Sequence, residues 1–265
     1  MDYEDLLLEK EDCGIATLTL NVPNKLNAIT LKMGGNLPLA VDEVAQDDNV
    51  RVLIVTGAGR GFCSGADVSA MQAPSGSVDV SRFNRLQVTG WPFVDIFPKL
   101  QKPTIAAING PCVGGGLALA LSCDIRIASE TAKFGVLQVA RALVPDFGLT
   151  YYLPLAVGVS NALELMYTAE LFDATKAQRI GLVSRVVPND DLMKIARELA
   201  NKIVQQPPLS VELTKKMVWR SLFDKLARQI DLETDSTRIC RQSEDHRESV
   251  RAFLEKKPSP SYKGK

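Results

Sequence analysis

The glycine run Gly114-Gly115-Gly116 is the clearest candidate for chemistry in the sequence. It follows a strand-like apolar segment and precedes small helix formers, in the sequence AAINGPCVGGGLALA of residues 106–120. Glycines let a backbone approach a ligand closely, and the free amides at the start of the following helix would point at that ligand. An oxyanion is the ligand that such amides favour. The same glycines would also permit tight helix packing, and the residues alone leave both roles open.

A second glycine-rich turn, residues 57–67, reads GAGRGFCSGAD and follows an apolar segment. A dinucleotide-binding turn needs a third glycine where Phe62 stands, so the sequence does not favour that function. The turn is also similar to a nucleophile elbow with Cys63 at its tip, and such a nucleophile needs a histidine base. The chain has one histidine, His246, in a polar helical stretch. We therefore expect His246 to be a solvated surface residue rather than a catalytic base.

A carboxylate among apolar neighbours is the third candidate. Asp146 lies between Pro145 and Phe147 in the sequence LVPDFGL of residues 143–149. Burial of such a carboxyl group raises its pKa toward the range of a useful proton shuttle. Pro-Asp-x-Gly is also an ordinary turn or helix cap, and the residues alone do not exclude that role.

Alternating strands and helices must position these three stretches. Four segments have the apolar or alternating pattern of strands, namely residues 15–20, 50–56, 104–108 and 125–128. Residues 30–45 are predicted to form a helix, although Gly34, Gly35 and Pro38 weaken its propensity. This alternation through the first two-thirds of the chain predicts an α/β fold.

The last third of the chain is predicted to be helical. Apolar residues have helical spacing in residues 190–204, 209–226 and 231–254, and strand formers are few there. Prolines recur and apolar residues stop in residues 256–261. The chain is therefore expected to end in a frayed tail.

Composition argues against nucleic acid, membranes and metal ions as partners of this chain. Lys and Arg together number 31, as do Asp and Glu, so the charge does not favour nucleic acid or an anionic membrane surface. The acidic start MDYED lacks the basic and apolar regions of a secretory signal, and no apolar run is long enough to span a bilayer. We expect a cytoplasmic protein without membrane association. Its five cysteines are scattered without metal-ligand spacing, which predicts reduced thiols and no metal site.

Several motifs in one order carry a resemblance to a known family. They extend over almost the whole chain and read PNKLNAI at residues 23–29, FCSGAD at 62–67, GGG at 114–116, GLV at 181–183 and FLEKK at 253–257. In this order and spacing they resemble the crotonase superfamily, also called the enoyl-CoA hydratase/isomerase family. Linked motifs of this kind are far more specific than any single glycine turn.

The resemblance implies an α/β fold with a ββα superhelix core, which we place in residues 1–190. A C-terminal helical trimerisation region would follow in residues 191–265. Members of the family assemble as trimers or dimers of trimers, so a homotrimer or a dimer of trimers is expected. The expected substrate is an acyl-CoA thioester, and no cofactor is implied, since coenzyme A is part of the substrate.

The resemblance also implies positions for the site. The oxyanion hole falls on the backbone amides of Ala66 and Gly115, and two such donors would stabilise a thioester enolate more than the ground-state carbonyl, by about 3 kcal/mol per donor. The substrate-binding positions fall on Lys25, Asn27, Ser64, Ala66, Asp67, Val68, Gly114 and Gln138. Because amides would do most of this work, the side chains at several of these positions need not be distinctive.

The sequence departs from the hydratase pattern at two positions. Hydratases of the family carry one glutamate two residues after the glycine run and a second in the Phe-Gly segment, where this chain has Ala118 and Gln138. Neither residue shuttles a proton, so the usual addition of water is expected to be lost. Asp146 stands where isomerases of the family, including those similar to the epoxyphenylacetyl-CoA isomerase, carry their single acid. One carboxylate suffices to move a double bond, which predicts an enoyl-CoA isomerase.

Other functions remain as alternatives to isomerisation. Dehalogenases of the family use an aspartate at the Asp146 position as a nucleophile, but they need a nearby histidine, and the region around residues 91–97 has none. An atypical hydratase that holds water with Gln138 is a second alternative, and a catalytically silent acyl-CoA binder is a third. Residues 71–97 would contact the acyl group of the substrate. Within them, Trp91, Phe93 and Phe97 either line the acyl pocket or belong to the core.

Overall fold

The fold is built on one large sheet and one small one. The computed structural model describes residues 3–67 and 94–258, together with residues 260 and 262, and gives only the backbone at residues 223 and 224. The strands in this part of the chain are β1 (Leu6–Lys10), β2 (Ile15–Leu20), β3 (Val52–Gly57), β4 (Thr104–Ile108), β5 (Cys112–Val113), β6 (Ile125–Ser129), β7 (Lys133–Gly135), β8 (Phe172–Asp173) and β9 (Arg185–Val187).

The large sheet has the strand order β1-β2-β3-β4-β6-β9. Strand β1 pairs antiparallel with β2, and the other neighbours pair in parallel. Every residue of β3 and β4 is buried, as expected for strands covered on both faces. The strands predicted at residues 15–20 and 104–108 are confirmed with the same bounds, and those predicted at 50–56 and 125–128 shift by at most two residues.

The small sheet joins two segments of the candidate site. It has the order β5-β7-β8, with β5 parallel to β7 and β8 antiparallel to β7. Strand β5 leads directly into the glycine run, and β7 leads directly into the segment that contains Gln138. Their pairing therefore brings these two parts of the chain side by side.

Helices cover both sheets. Their bounds in the described part of the chain are α1 (Leu31–Gln46), α2 (Ile96–Lys99), α3 (Gly115–Ser122), α4 (Leu149–Val157), α5 (Val159–Thr168), α6 (Ala174–Arg179), α7 (Leu192–Val204), α8 (Pro208–Gln242) and α9 (Glu244–Leu254). The predicted helix at residues 30–45 is α1. Thr30 caps it by accepting a hydrogen bond from Met33 N–H at 2.9 Å, and the helix continues through Pro38.

Helix α7 packs against the large sheet. Its apolar side, Leu192, Ala196 and Ala200, belongs to a buried cluster with Val52 and Ile105 of the sheet. A division of the chain at residue 190 stays a prediction, and this packing places α7 with the sheet although it lies beyond that position. The α/β architecture with a helical C-terminal region is confirmed.

The predicted break between the last two helices is wrong. We expected helices at residues 209–226 and 231–254, whereas α8 runs without interruption to Gln242. Residues 227–230 read ARQI and contain no glycine or proline, so nothing ends the helix there. The break comes at Ser243, whose hydroxyl accepts a hydrogen bond from His246 N–H at 3.1 Å and so caps α9.

The cysteines are free thiols, as predicted. Cys63, Cys112 and Cys123 are buried, Cys13 is exposed and Cys240 lies between these extremes. In the part of the chain that the structure describes, none of the helices combines the length and apolar character needed to cross a membrane.

Candidate active site

The two glycine-rich turns meet through their backbones. Cys63 and Cys112 form a parallel bridge, and Val113 N–H donates to Cys63 O at 3.1 Å. In the same contact, the N–H groups of Phe62 and Cys63 both donate to Pro111 O, at 3.1 and 3.0 Å. The turn after β3 and the turn before α3 are therefore fixed to each other by main-chain hydrogen bonds.

The amide of Ala66 points away from Ile29, with which Ala66 forms an isolated parallel bridge. Ile29 N–H donates to Gly65 O at 2.8 Å, and Asp67 N–H donates to Ile29 O at 3.2 Å. Because Ile29 bonds the residues on either side of Ala66, the N–H of Ala66 faces the opposite direction. Within residues 3–67 and 94–258, this amide has no hydrogen-bond acceptor.

Gly115 supplies a second free amide. It is the first residue of α3, where backbone N–H groups have no partner within the helix. Gly114 N–H donates to Gly135 O at 2.9 Å, and Gly114 has a φ of 54°. A Cβ atom on Gly65 would lie 3.3 Å from Gly115 N and 3.0 Å from Val113 O. The segment before Ala66 thus runs directly past the Gly115 amide.

The glycine run has the geometry for both of the roles that the sequence left open. A Cβ atom on Gly116 would lie 2.3 Å from Cys63 O, so this glycine is required for close packing of the two turns. Gly115 in contrast presents its amide at the helix N-terminus, where the dipole favours negative charge. A Cβ atom there would meet Ile29 Cδ1 at 3.2 Å and Phe147 Cε2 at 3.3 Å. These two apolar side chains pack beside Gly115.

Asp146 is a buried acid close to the glycine run, since the next residue, Phe147, packs beside Gly115. The exposed fraction of Asp146 is 7%, and Gln138 Nε2 donates to its Oδ1 at 3.1 Å. Burial raises the pKa of Asp146 to about 6, although the Gln138 hydrogen bond and the charge of Arg241 oppose this shift. A carboxyl group with this pKa exchanges a proton readily near neutral pH.

Gln138 connects the acid to the glycine run. It is 9% exposed, and its side-chain amide lies within 4.0 Å of the position that a Cβ atom on Gly114 would take. While Nε2 donates to Asp146, the buried Oε1 has no hydrogen-bond partner among the described residues. Gln138 therefore retains a free acceptor between the acid and the oxyanion amides.

Glu233 is a second buried acid beside Asp146 that the sequence reading missed. Its carboxylate accepts hydrogen bonds from Gly148 N–H at 2.6 Å, from Thr150 N–H at 3.0 Å and from the Thr150 hydroxyl. Burial raises the pKa of Glu233 to about 7, and the charge of Asp146 contributes to this shift. A signal was present, because Glu233 occupies the helical stripe of Leu226 and Ile230, where an apolar residue would be expected.

The predicted substrate-binding positions lie around the Ala66 turn. Lys25 Nζ and Asp67 Oδ2 form an ion pair at 2.7 Å, and the Ser64 hydroxyl donates to Lys25 O at 2.9 Å. Asn27 is fully buried: its side chain bonds the main chain of this loop, and its own N–H donates to Val22 O at 2.9 Å. Val68 lies outside the described residues.

The aromatic positions proposed for the acyl pocket separate into two groups. Phe97 is fully buried in the main hydrophobic core, which supports the simpler of its two predicted roles. Trp91 and Phe93 lie outside the described residues.

The prediction of a solvated His246 is wrong. The side chain is 7% exposed, and its Nδ1 lies 2.8 Å from Arg141 O, toward which it donates. The reason is tertiary, since α9 folds back over the segment between Gln138 and Asp146. Cys63 is not a nucleophile, because burial raises the pKa of its thiol to about 12.

Known proteins are similar to this chain in sequence. A model of the family described as enoyl-CoA hydratase/isomerase matches residues 10–265. The chain is 36% identical over 266 residues to the short-chain-enoyl-CoA hydratase of Clostridium acetobutylicum, covering 100% of both proteins. It is also 36% identical over 267 residues to the 1,2-epoxyphenylacetyl-CoA isomerase of Escherichia coli, covering 98% of this chain and 99% of that protein.

A similar fold is present among solved structures. An enoyl-CoA hydratase from Mycobacterium avium subsp. paratuberculosis superposes with a TM-score of 0.85 at 27% identity, over 99% of this chain and 100% of that one. Relatives named for water addition and for isomerisation are thus similar to this chain to the same degree. The choice between the two reactions depends on the residues of the site.

Proposed function

The chain belongs to the enoyl-CoA hydratase/isomerase family, also called the crotonase superfamily, and we propose that its own reaction is movement of a double bond in an acyl-CoA thioester. The observation that carries this proposal is that Asp146 is hydrogen-bonded by Gln138 rather than by a second carboxylate, while the neighbouring acid Glu233 is bonded to Gly148 and Thr150. Among the described residues, Asp146 is then the one carboxyl group left to carry a proton at these amides, and a second carboxylate to activate water is missing from position 138.

In the proposed reaction, Asp146 first acts as the base. With a pKa of about 6 it is mostly ionised at neutral pH and accepts a proton from the carbon next to the thioester carbonyl. The electrons of that C–H bond form the enolate, whose oxygen carries the negative charge. The amides of Ala66 and Gly115 would hold this oxygen.

Asp146 then acts as the acid. The same proton returns to the carbon at the far end of the conjugated system, while the electrons of the enolate re-form the carbonyl. The double bond has moved by one position, and Asp146 is ionised again. No water enters the product, and no metal or cofactor is needed, because two amides and one carboxyl group carry every charge. Activity that persists after dialysis against a chelator would support this last point.

Replacement of the acid tests the proposal directly. Asp146→Asn keeps the shape of the side chain but removes its proton-carrying group, so isomerisation should fall at least about 1,000-fold. Binding of a saturated acyl-CoA thioester, measured by calorimetry, should be retained within about threefold. Asp190→Asn, at an exposed aspartate remote from these turns in the sequence, is the matched control and should behave as the unmodified protein. Full activity of Asp146→Asn would refute the assignment.

Hydration is the second candidate, and the free acceptor of Gln138 favours it. Oε1 of Gln138 and a carboxylate oxygen of Asp146 could together position one water molecule near the amides. Similar proteins named as hydratases agree with this alternative. Incorporation of ¹⁸O from labelled water into the product separates the two reactions, since isomerisation incorporates none.

A silent binder is the remaining alternative. Such a protein would hold the thioester with its amides but would not exchange the proton next to the carbonyl with heavy water. Exchange of that proton, followed by mass spectrometry over straight-chain and cyclic thioesters, would exclude this alternative. The same panel would identify the acyl group.

We also propose that the chain forms a homotrimer or a dimer of trimers, with residues 191–265 contributing to the contact. Exposed large apolar side chains recur at four-residue spacing along α8, at Leu209, Leu213 and Met217. A second set with the same spacing lies on α4 and α5 and just after α5, at Leu155, Val159, Leu163, Tyr167 and Leu171. Sedimentation equilibrium at several protein concentrations would measure the assembly state.

A further inference from the structure

Glu233 is a buried carboxylate that no step of the proposed reaction uses. Only 4% of its surface is exposed, and its two carboxylate oxygens receive the N–H groups of Gly148 and Thr150 and the Thr150 hydroxyl. The Thr150 hydroxyl is in turn an acceptor for Gln229 Nε2 at 2.6 Å, which directs its proton toward Glu233. All three partners therefore donate to Glu233, and an ionised carboxylate satisfies them best.

These hydrogen bonds fix the turn that carries Asp146. Phe147 and Gly148, the next two residues, have positive φ values of 60° and 79°. A phenylalanine with positive φ is unfavourable and persists only where its surroundings enforce it. Glu233 provides such a constraint, because it binds the backbone on the far side of the turn and places negative charge at the N-terminus of α4.

The charged and titratable groups around Glu233 and Asp146 come from three elements. Asp146 precedes α4, Tyr152 lies on α4, and Arg241 lies on α8, where its charge acts on Asp146. Burial raises the pKa of Glu233 to about 7 and that of Asp146 to about 6. When Glu233 takes up a proton, one of its oxygens becomes a donor, and the N–H group facing that oxygen loses its acceptor.

We propose that Glu233 is a positioning residue for the reaction of Asp146: its ionised carboxylate orders the turn through Gly148 and Thr150, and its protonation loosens that turn. This proposal rests on the proposed function only in taking Asp146 as the acid. It implies that the C-terminal helix α8 controls the geometry of the site without touching the substrate.

The pH dependence of turnover is the first test. In the unmodified protein, kcat should rise through the ionisation of Asp146 and continue to rise through that of Glu233, levelling only above about pH 7. Glu233→Gln should lower the plateau of kcat about tenfold, leave KM within about twofold, and reduce the profile to a single ionisation. Asp231→Asn, which removes one exposed charge from the same helix, is the matched control and should change neither quantity.

A merely structural role would scale kcat equally at every pH, so that the substitution would leave the number of ionisations in the profile unchanged. That result would overturn the proposal. Thr150→Val, which removes only the hydroxyl donor, is a milder variant should Glu233→Gln fail to fold. It should lower kcat by about threefold and shift the upper ionisation to higher pH, and an unshifted profile would count against the proposal.

Amide hydrogen exchange tests the turn without any assay of function. At pH 8, the Gly148 and Thr150 amides of Glu233→Gln should exchange at least about tenfold faster than those of the unmodified protein at the same pH. The difference should shrink as the pH falls below about 6.5. Equal exchange at pH 8 would refute the positioning role, whereas failure of isomerisation with this difference intact would refute only the proposed function.

Discussion

One side of the site is formed by backbone groups and the other by side chains. On the proposed oxyanion side, Ala66 and Gly115 would act through backbone amides that main-chain hydrogen bonds hold in place. On the proposed acid side, Asp146 would act through its side chain, which Gln138 contacts and whose turn is tied to a distant helix by Glu233. Amides do not titrate and carboxyl groups do, so the two sides respond differently to substitution and to pH.

This difference indicates where the family can vary its chemistry. A change of side chain on the oxyanion side alters little as long as the backbone keeps its path, so enolate stabilisation persists. A change on the acid side alters which proton is carried and whether water is activated. Ala118 and Gln138, in place of the carboxylates of the hydratase pattern, are changes of the second kind. Substitutions on the two sides of the site test this difference between backbone and side chain.

The largest effect is expected where the backbone path itself is blocked. In Gly116→Ala, the new methyl group would lie 2.3 Å from Cys63 O and 2.7 Å from Cys63 Cβ, so the two turns must separate. We expect kcat to fall at least about 100-fold, comparable to loss of one oxyanion donor, together with a lower melting temperature. Steady-state kinetics and thermal unfolding measure both effects.

Gly35→Ala is the control for this prediction. Gly35 lies in α1, and a Cβ atom there would have no neighbour within 4 Å. Alanine should therefore leave kcat unchanged and stabilise the helix by about 0.5–1 kcal/mol. Normal kcat in Gly116→Ala would show that the contact between the turns does not set the oxyanion geometry.

The acid side should lose activity but gain stability when its charge is removed. The pKa of Asp146 is raised in the folded protein, so its ionised form destabilises the fold at high pH and this cost disappears as pH falls through about 6 toward 4. Asp146→Asn should therefore raise the free energy of unfolding at pH 8, by at most about 3 kcal/mol, and by little at pH 4. Urea denaturation at the two pH values measures this difference. A loss of stability at pH 8 would contradict it.

The hydrogen bond from Gln138 should adjust the pKa of Asp146 rather than decide whether Asp146 carries the proton. Gln138→Leu keeps the volume but removes a donor that favours the ionised carboxylate, so the pKa of Asp146 should rise. The kcat/KM profile should move to higher pH, with activity lowered about fivefold at pH 6 and nearly restored at pH 8.5. The exposed Gln178 provides a control in Gln178→Leu. Loss of activity at every pH would instead favour hydration with water held by Gln138.

The smallest effect is expected from the exposed cation near the Ala66 turn. Lys25 is 48% exposed in its side chain and pairs with Asp67. Lys25→Met should raise KM for acyl-CoA thioesters about threefold, leave kcat unchanged, and change stability little, because exposed ion pairs contribute little. Lys32→Met removes a similarly exposed, paired lysine from α1 and should leave KM unchanged. An equal rise of KM in both variants would argue against a role of Lys25 in substrate binding.

Local pattern predicted the elements well where one interaction dominates. The bounds of β2 and β4 follow from short segments with an alternating or apolar pattern. The break between α8 and α9 was misplaced, because the start of α9 depends on the cap at Ser243 and no glycine or proline marks it. Sequence pattern predicts the bounds of an element more reliably where local signals are strong than where a bound depends on a single capping hydrogen bond.

Contacts between distant segments explain what the sequence could not give. His246 was expected in solvent, yet it is buried because α9 folds over the segment after Gln138. Glu233 is polar and helical, and nothing in its own neighbourhood indicates a partner at Gly148. Both residues acquire their roles from segments about 100 positions away in the chain.

The sequence by itself determined the family, the two glycine-rich turns and the candidate acid Asp146, because each depends on residue types at short spacing. Only the tertiary structure decided that Gly115 and Gly116 have separate roles, that Gln138 bonds Asp146, and that Glu233 holds the turn beyond it. The physical reason is that free amides, raised pKa values and buried hydrogen bonds arise from packing between segments. Residue types permit these properties, and the fold produces them.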